Sequence, residues 1–275
     1  MITELLAMFL AVFVQQAAPA PEYTIEAIRF GTLPQFRTSQ LVIGADANER
    51  ADIPVVVWLI RGGGKTILFD SGYKPTVPQY KSFGTTDYVQ PDEAVKLAGV
   101  QPGDVTDVIV SHVHWDHMDG IDLFPNATIW IQKAEYEYYT GMAWQTGGRG
   151  GAELDDLIYL VRRNIQRKVK LIDGDDKEIL PGIRAYTGAR HTYASQYIRV
   201  AGTPSYVLAS DNAYTYRNID EKKPIATFEQ ADRPANIASF DRMVQLAGAK
   251  ERVLPGHDMK VFERFPTQGR VAKIK

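Results

Sequence analysis

The chain contains no cysteine. That excludes disulfide scaffolding and thiolate metal ligands together, so any metal site has to be built from His, Asp and Glu. Charge of one sign is also lacking. Thirty-one basic residues face thirty-three acidic ones, for a formal net charge of −2. The basic residues are scattered except for Arg162-Arg163-Asn164-Ile165-Gln166-Arg167-Lys168, which reads as the solvated side of a helix rather than a nucleic-acid surface. No run of about twenty apolar residues occurs, so no stable membrane span is expected. Leu5 to Val14 is the longest such stretch, followed by Gln15-Gln16 and Ala17-Ala18-Pro19-Ala20. Its length suits a secretory leader, whereas the absence of Lys or Arg before Arg29 suits a retained apolar helix packed on the body or on a partner subunit. Localisation stays open between export to the periplasm and the cytoplasm. No Pro-, Ser- or charge-rich linker divides the remainder, so residues 21–275 are expected to form one α/β domain behind a lead segment, 1–20.

Within that domain, strands are expected at Tyr23 to Phe30, Pro54 to Ile60, Thr66 to Phe69, Val105 to Val110 and Ala127 to Ile131, with a hairpin across Arg61-Gly62-Gly63-Gly64-Lys65. Helical spacing marks Pro91 to Val100, Lys133 to Tyr139 and Leu154 to Ile165. The second half repeats the mixture: strands at Ile183 to Thr187, Ser195 to Val200 and Tyr206 to Ala209, a helix at Ala235 to Ala247, and a last strand at Arg252 to Leu254. The glycine-rich Gly147-Gly148-Arg149-Gly150-Gly151 lacks the Lys and Ser or Thr of a phosphate-binding loop and follows no strand, so it reads as flexible punctuation.

Chemistry concentrates in Ser111-His112-Val113-His114-Trp115-Asp116-His117, where three of the five histidines and a carboxylate fall within six positions just past a buried strand. Alternate residues His112 and His114 can point one way while Asp116 and His117 turn to the neighbouring side, a spacing that suits two adjacent metals. His191, His257 and Asp211 each follow a predicted strand, so all five imidazoles can converge on one edge of the sheets. Taken singly, each of these three would be an ordinary structural or turn residue.

Together, His112, His114, Asp116, His117, His191, Asp211 and His257 resemble the metal-ligand set of the metallo-β-lactamase superfamily, with the order and rough spacing matching from about Pro54 to Asp258. The resemblance implies a four-layer αβ/βα sandwich, two mixed sheets with helices outside, and two divalent cations at one end. Zinc is the implied metal, with iron, cobalt or manganese also compatible. It further implies that His112, His114 and His191 hold one cation, that Asp116, His117 and His257 hold the other, and that Asp211 bridges them. Asp70 matches the family's aspartate that orients a ligand imidazole, with a hairpin-end turn residue as the simpler alternative.

Several activities compete within the superfamily. Metal-dependent β-lactamases commonly use a cysteine ligand; glyoxalase II-like thioesterases carry a helical region beyond the last ligand, where only eighteen residues follow His257; diiron flavoproteins put glutamate in the motif. The branch most similar is that of the N-acyl homoserine lactonases, because Tyr214 stands three residues after Asp211, where those enzymes place a tyrosine facing the substrate carbonyl. The alternative for Tyr214 is plain packing. The resemblance thus implies a hydrolase that opens a lactone or similar ester by attack of a metal-bridging hydroxide, with Tyr214 and Asp116 as catalytic groups. Other hydrolytic activities of the fold, on phosphodiesters, thioesters or β-lactams, and a non-catalytic metal-binding module are the rivals. Thr187-Gly188-Ala189-Arg190-His191 and Trp115 depart from the lactonase pattern and bear on the acyl pocket. That pocket is expected from Lys74 to Asp92 and Thr140 to Glu153, with Tyr80, Tyr88 and Trp144 as an apolar wall. The partner implied is a small lactone or ester, and a homodimer is compatible with both the resemblance and the apolar lead.

Overall fold

The computed structural model describes residues 21–148 and 150–275; the lead segment lies outside the described residues. Among the described residues thirteen strands run in chain order as β1 (Thr24–Arg37), β2 (Arg50–Gly62), β3 (Lys65–Phe69), β4 (Asp107–Ile109), β5 (Thr128–Gln132), β6 (Val169–Ile172), β7 (Lys177–Leu180), β8 (Ile183–Thr187), β9 (Gln196–Val200), β10 (Tyr206–Ser210), β11 (Val253–Pro255), β12 (Thr267–Gln268) and β13 (Val271–Lys273). They form an eight-stranded sheet ordered β12-β13-β1-β2-β3-β4-β5-β6 and a five-stranded sheet ordered β11-β10-β9-β8-β7. Both are mixed. β3 to β6 pair in parallel beside an antiparallel β13-β1-β2-β3 flank, and β10 pairs in parallel with β11 but antiparallel with β9.

The apolar run of β2 shows why the layers form. Val56, Trp58 and Ile60 face the second sheet, where they meet Ile183, Ala185, Ile198 and Leu208. Val55, Val57 and Leu59 face the opposite way, into a core closed by helix residues such as Ala94, Val95, Leu157 and Leu160. A strand buried on both faces loses the polar alternation of a half-exposed one. On the far side of the small sheet, Tyr197, Val207 and Val253 pack against Phe240, Met243 and Ala247 of the helix Arg233–Ala247. The result is helix, sheet, sheet, helix: the metallo-β-lactamase sandwich.

Several expected elements change. β1 runs past Phe30 to Arg37 because β2 offers a partner along its whole length, from Thr24↔Arg61 to Arg37↔Arg50. The helix expected to end at Tyr139 continues from Lys133–Glu137 through a wider turn at Tyr138–Met142 into Ala143–Thr146, and stops at Gly147 in the left-handed region, φ 74°. No residue before that glycine breaks it. β6 and β7 are additions to the expected strands: half of their residues are exposed, and each has only two buried residues, which leaves too short an apolar pattern to mark a strand. Nor is Arg252 to Leu254 the last strand: β12 and β13 follow, and β13 adds to the edge of β1. The stretch after His257 therefore completes the large sheet. Among the described residues no helix is long and apolar enough to cross a membrane.

Candidate metal centre

Each chemically active side chain sits just past the carboxyl end of a strand. Asp70 follows β3, the histidine motif follows β4, His191 follows β8, Asp211 follows β10 and His257 follows β11. Such ends are where backbone groups leave the ladder and side chains can converge. Here all seven sequence-predicted ligands come together in two groups: His112, His114, His191 and Asp211 in one, Asp116, His117 and His257 in the other.

Within the first group, His114 Nδ1 is 3.0 Å from both His112 Nε2 and His191 Nε2. Asp211 Oδ2 is 3.1 Å from His191 Nε2 and 3.7 Å from His112 Nε2. The other oxygen, Oδ1, turns to the second group, 3.0 Å from His257 Nε2 and 3.2 Å from His117 Nε2. Asp116 Oδ2 completes that group at 3.5 Å from His117 Nε2 and 3.7 Å from His257 Nε2. Asp211 thus gives one oxygen to each side.

Hydrogen bonds to the far ring nitrogens set which atoms face inward. His117 Nδ1 donates to Asp70 Oδ2 at 2.8 Å, and His257 Nδ1 donates to the Pro54 carbonyl at 3.0 Å. His112 Nδ1 lies 2.8 Å from Ser111 Oγ, whose hydroxyl in turn reaches Asp70 Oδ2 at 3.0 Å. In each case Nε2 is left as a bare lone pair aimed at the centre. His117 Nε2 is buried with no hydrogen-bond partner, although two carboxylate oxygens stand nearby. Lone pairs do not satisfy one another; a cation between them does. Ligand atoms around a tetrahedral zinc ion, bonded at about 2.0–2.1 Å, lie about 3.3 Å apart, and the observed separations of 3.0 to 3.7 Å bracket that figure. The donors fit two divalent cations.

The electrostatics agree. Burial, followed by His117 and His114, drives the His112 imidazole well below its usual range. Burial and then His191 lower His114 to about 3. Both rings are neutral at any ordinary pH. His117 goes the other way: burial opposes its charge, but Asp211, Asp116 and Asp70 outweigh it and draw the ring well above its usual value. The carboxylates therefore call for positive charge at that position.

Beyond the ligands, Asp70 receives more than an imidazole. Oδ1 accepts the Ser111 backbone N–H at 2.7 Å, and Oδ2 also accepts the Ser210 hydroxyl at 3.0 Å. Asp70 and Ser210 both adopt left-handed backbone, φ 64° and φ 45°, a strain of about 1–3 kcal/mol each that the surrounding contacts hold in place. Sequence reasoning missed Glu135, which is fully buried. Its Oε1 accepts the Val113 N–H at 3.2 Å and its Oε2 the Ala194 N–H at 2.6 Å, tying the motif loop to the loop of His191. In the sequence it was one glutamate in the first turn of a helix, and nothing local set it apart. The Gly147 to Gly151 loop is not mere punctuation either. Gly151, at φ 78°, lies against the His114 ring, where a Cβ would come within 2.6 Å of Cδ2, and its carbonyl accepts the Trp115 N–H at 2.9 Å.

A cavity of about 190 Å³ opens onto these groups. His114, Asp116, Asp211, Tyr214 and His257 line its polar side, and Leu33, Phe36, Leu41, Ile53, Phe83 and Trp115 its apolar side. The Tyr214 ring stands edge-on to His191 and His257, at 5.8 and 5.5 Å, and its hydroxyl is 3.4 Å from Thr227 Oγ1. Burial first and the Asp211 charge second raise its pKa well above the usual phenol value, so it keeps its proton. The expected wall needs correction. Tyr88 and Tyr80 stand one layer back, Tyr88 against Tyr73 and Tyr80 against Tyr88, and Trp144 lines a separate groove with Leu154 and Ile158. Phe83 and Trp115, stacked at 5.8 Å and 10°, take that place. β1 and β2 add Leu33, Phe36 and Ile53, which could not be assigned before their pairing was known.

The family model described as the metallo-beta-lactamase superfamily matches residues 50–257. An N-acyl homoserine lactonase of a Bacillus species is 26% identical over 239 residues, covering 79% of this chain and 88% of the relative. The N-acyl homoserine lactonase AttM of Azorhizobium caulinodans is 29% identical over 231 residues, covering 78% and 85%. Among solved structures, an N-acyl homoserine lactone hydrolase with N-hexanoyl-L-homoserine bound at its catalytic metal centre superposes with a TM-score of 0.71 at 20% identity, over 91% of this chain and 98% of that one. The dizinc quorum-quenching lactonase AidC superposes with a TM-score of 0.64 at 16% identity, over 88% of this chain and 90% of that one. Matched over most of its length and folded in the same way, the chain belongs to the metallo-β-lactamase superfamily.

Proposed function

We propose that this protein is a dinuclear metal-dependent hydrolase that opens lactone rings, with N-acyl homoserine lactones or close analogues as substrates. The observation that carries the reading is Asp211, whose two oxygens face two separate sets of imidazoles at the floor of a cavity with one apolar wall. Relatives that match most of the chain are named as lactonases.

His112, His114, His191 and one oxygen of Asp211 would hold one cation, and Asp116, His117, His257 and the other oxygen the second. Two divalent cations there, zinc by the neighbour's example, supply Lewis acidity and a water whose pKa falls toward neutrality. Around them, the chain's own groups have distinct tasks. Tyr214, protonated and lining the cavity, donates its hydroxyl to the lactone carbonyl oxygen as negative charge develops. Asp116, which burial would raise but His117 holds ionised, takes the proton released by the attacking water and returns it to the departing ring oxygen as the C–O bond breaks. Phe83, Trp115 and Phe36 shelter the apolar part of the substrate.

The test is metal analysis of the purified chain together with pH-monitored opening of a γ-lactone series, run beside nitrocefin, bis-nitrophenyl phosphate and a thioester. Two cations per chain and preferred turnover of the lactones are expected. Full activity in metal-free protein, or inert lactones beside a turned-over rival, overturns the reading.

A further inference from the structure

The helix Leu154–Ile165 carries two apolar stripes where a surface helix needs one. Leu157 and Leu160 are buried in the core beside the large sheet. Leu154, Ile158, Val161 and Ile165 form the other stripe, at spacings of four, three and four residues. Leu154, Ile158 and Ile165 are 52%, 39% and 77% exposed. With Met142 in the neighbouring turn, they make up four of the eight large hydrophobics that stand exposed among the described residues, so the exposure is concentrated here rather than scattered. Beside the stripe runs a groove of about 320 Å³ floored by Trp144, Leu157 and Val161. A 4-3-4 spacing is that of a seam between two packed helices.

We infer that this face is where a second copy of the chain docks, helix against helix, antiparallel about a two-fold axis. The charges beside the seam select that occupant. Asp155 and Arg162 lie seven residues apart and so flank the seam on the same side, and among the described residues neither side chain has an ion-pair partner. An antiparallel pair sets Asp155 of one copy against the partner's Arg162, twice by symmetry, as an isologous interface requires. A parallel pair would set this flank against the partner's other flank, where Asp155 would not meet Arg162. The helix ends agree, since the first turn is acidic (Asp155, Asp156) and the last is basic (Arg162, Arg163), and opposed macrodipoles attract.

The full chain is tested by sedimentation equilibrium with Asp155→Arg, Arg162→Asp and Ile158→Asp variants, none of which touches the metal centre. The unaltered chain is expected to form a reversible dimer. Each charge variant should weaken association about tenfold or more, and an equimolar mixture of the two should restore it, because opposite charges meet again. Ile158→Asp should be monomeric with its circular dichroism and lactone turnover kept. A wild-type chain that stays monomeric at its highest soluble concentration overturns the inference, as it would if residues 1–20 or an unrelated protein covers the seam. So do charge variants that associate as tightly as wild type, or a mixture that associates no better than its components.

Discussion

Tyr214 and Asp211 stand three residues apart after one strand, and their substitutions should separate cleanly. Tyr214 lines the cavity without belonging to either ligand group. Tyr214→Phe should therefore lower kcat on the order of a hundredfold while metal analysis still finds two cations per chain. An unchanged kcat would make the ring a packing residue. Asp211 offers an oxygen to each group, 3.1 Å from His191 and 3.0 Å from His257. Asp211→Asn replaces one of those oxygens with an amide that donates rather than accepts, so metal content should fall toward one per chain and most turnover should go with it. Full occupancy with normal turnover would end the bridging role.

At the scale of elements, the segment after the histidine motif and the helix Leu154–Ile165 each bring a buried carboxyl to one place, Asp119 and Asp156. Asp119 is buried, accepts the Lys74 N–H at 2.6 Å and interacts with Asp156. Burial first and the neighbouring Asp119 second raise the Asp156 pKa from 3.8 to about 8. The folded state thus binds this proton more tightly than the unfolded chain does. The resulting stability is fully present below the unfolded value and is lost as pH rises through about 8. Asp156→Asn, which cannot ionise, should gain in melting temperature relative to wild type as the buffer moves from about pH 5 to about pH 8. A constant difference across that range would show that Asp156 does not titrate within it.

For the molecule as a whole, the metal centre is a junction between layers. The motif after β4 belongs to the large sheet, whereas Asp211, His191 and His257 follow strands of the small one. Cations held between them would bind the folded state and leave the unfolded chain largely unbound, so their removal should destabilise the whole sandwich. Chelator treatment is expected to lower the melting temperature by several degrees, on the order of 1–3 kcal/mol of linkage, and to abolish lactone opening, with both restored by zinc. A melting temperature indifferent to chelator would remove the cations from the stability of the fold.

Much was legible in the chain itself, and for physical reasons. The double-sided apolar run of β2, the helix Leu154–Ile165 and the strand Ile183–Thr187 follow from periodicity alone, because burial on a face repeats at short range. The donor types were also legible, since a chain without cysteine has His, Asp and Glu to offer a metal, and three histidines and an aspartate fall within six positions. What periodicity cannot carry is contact between segments far apart in the chain. The extension of β1, the placing of β13 beside it, the apolar wall from Phe36, Phe83 and Trp115, and the burial of Glu135 all depend on partners between tens and more than two hundred residues away. Only the packed tertiary structure brings those partners within reach, and only there does one aspartate come to face two groups of imidazoles at once.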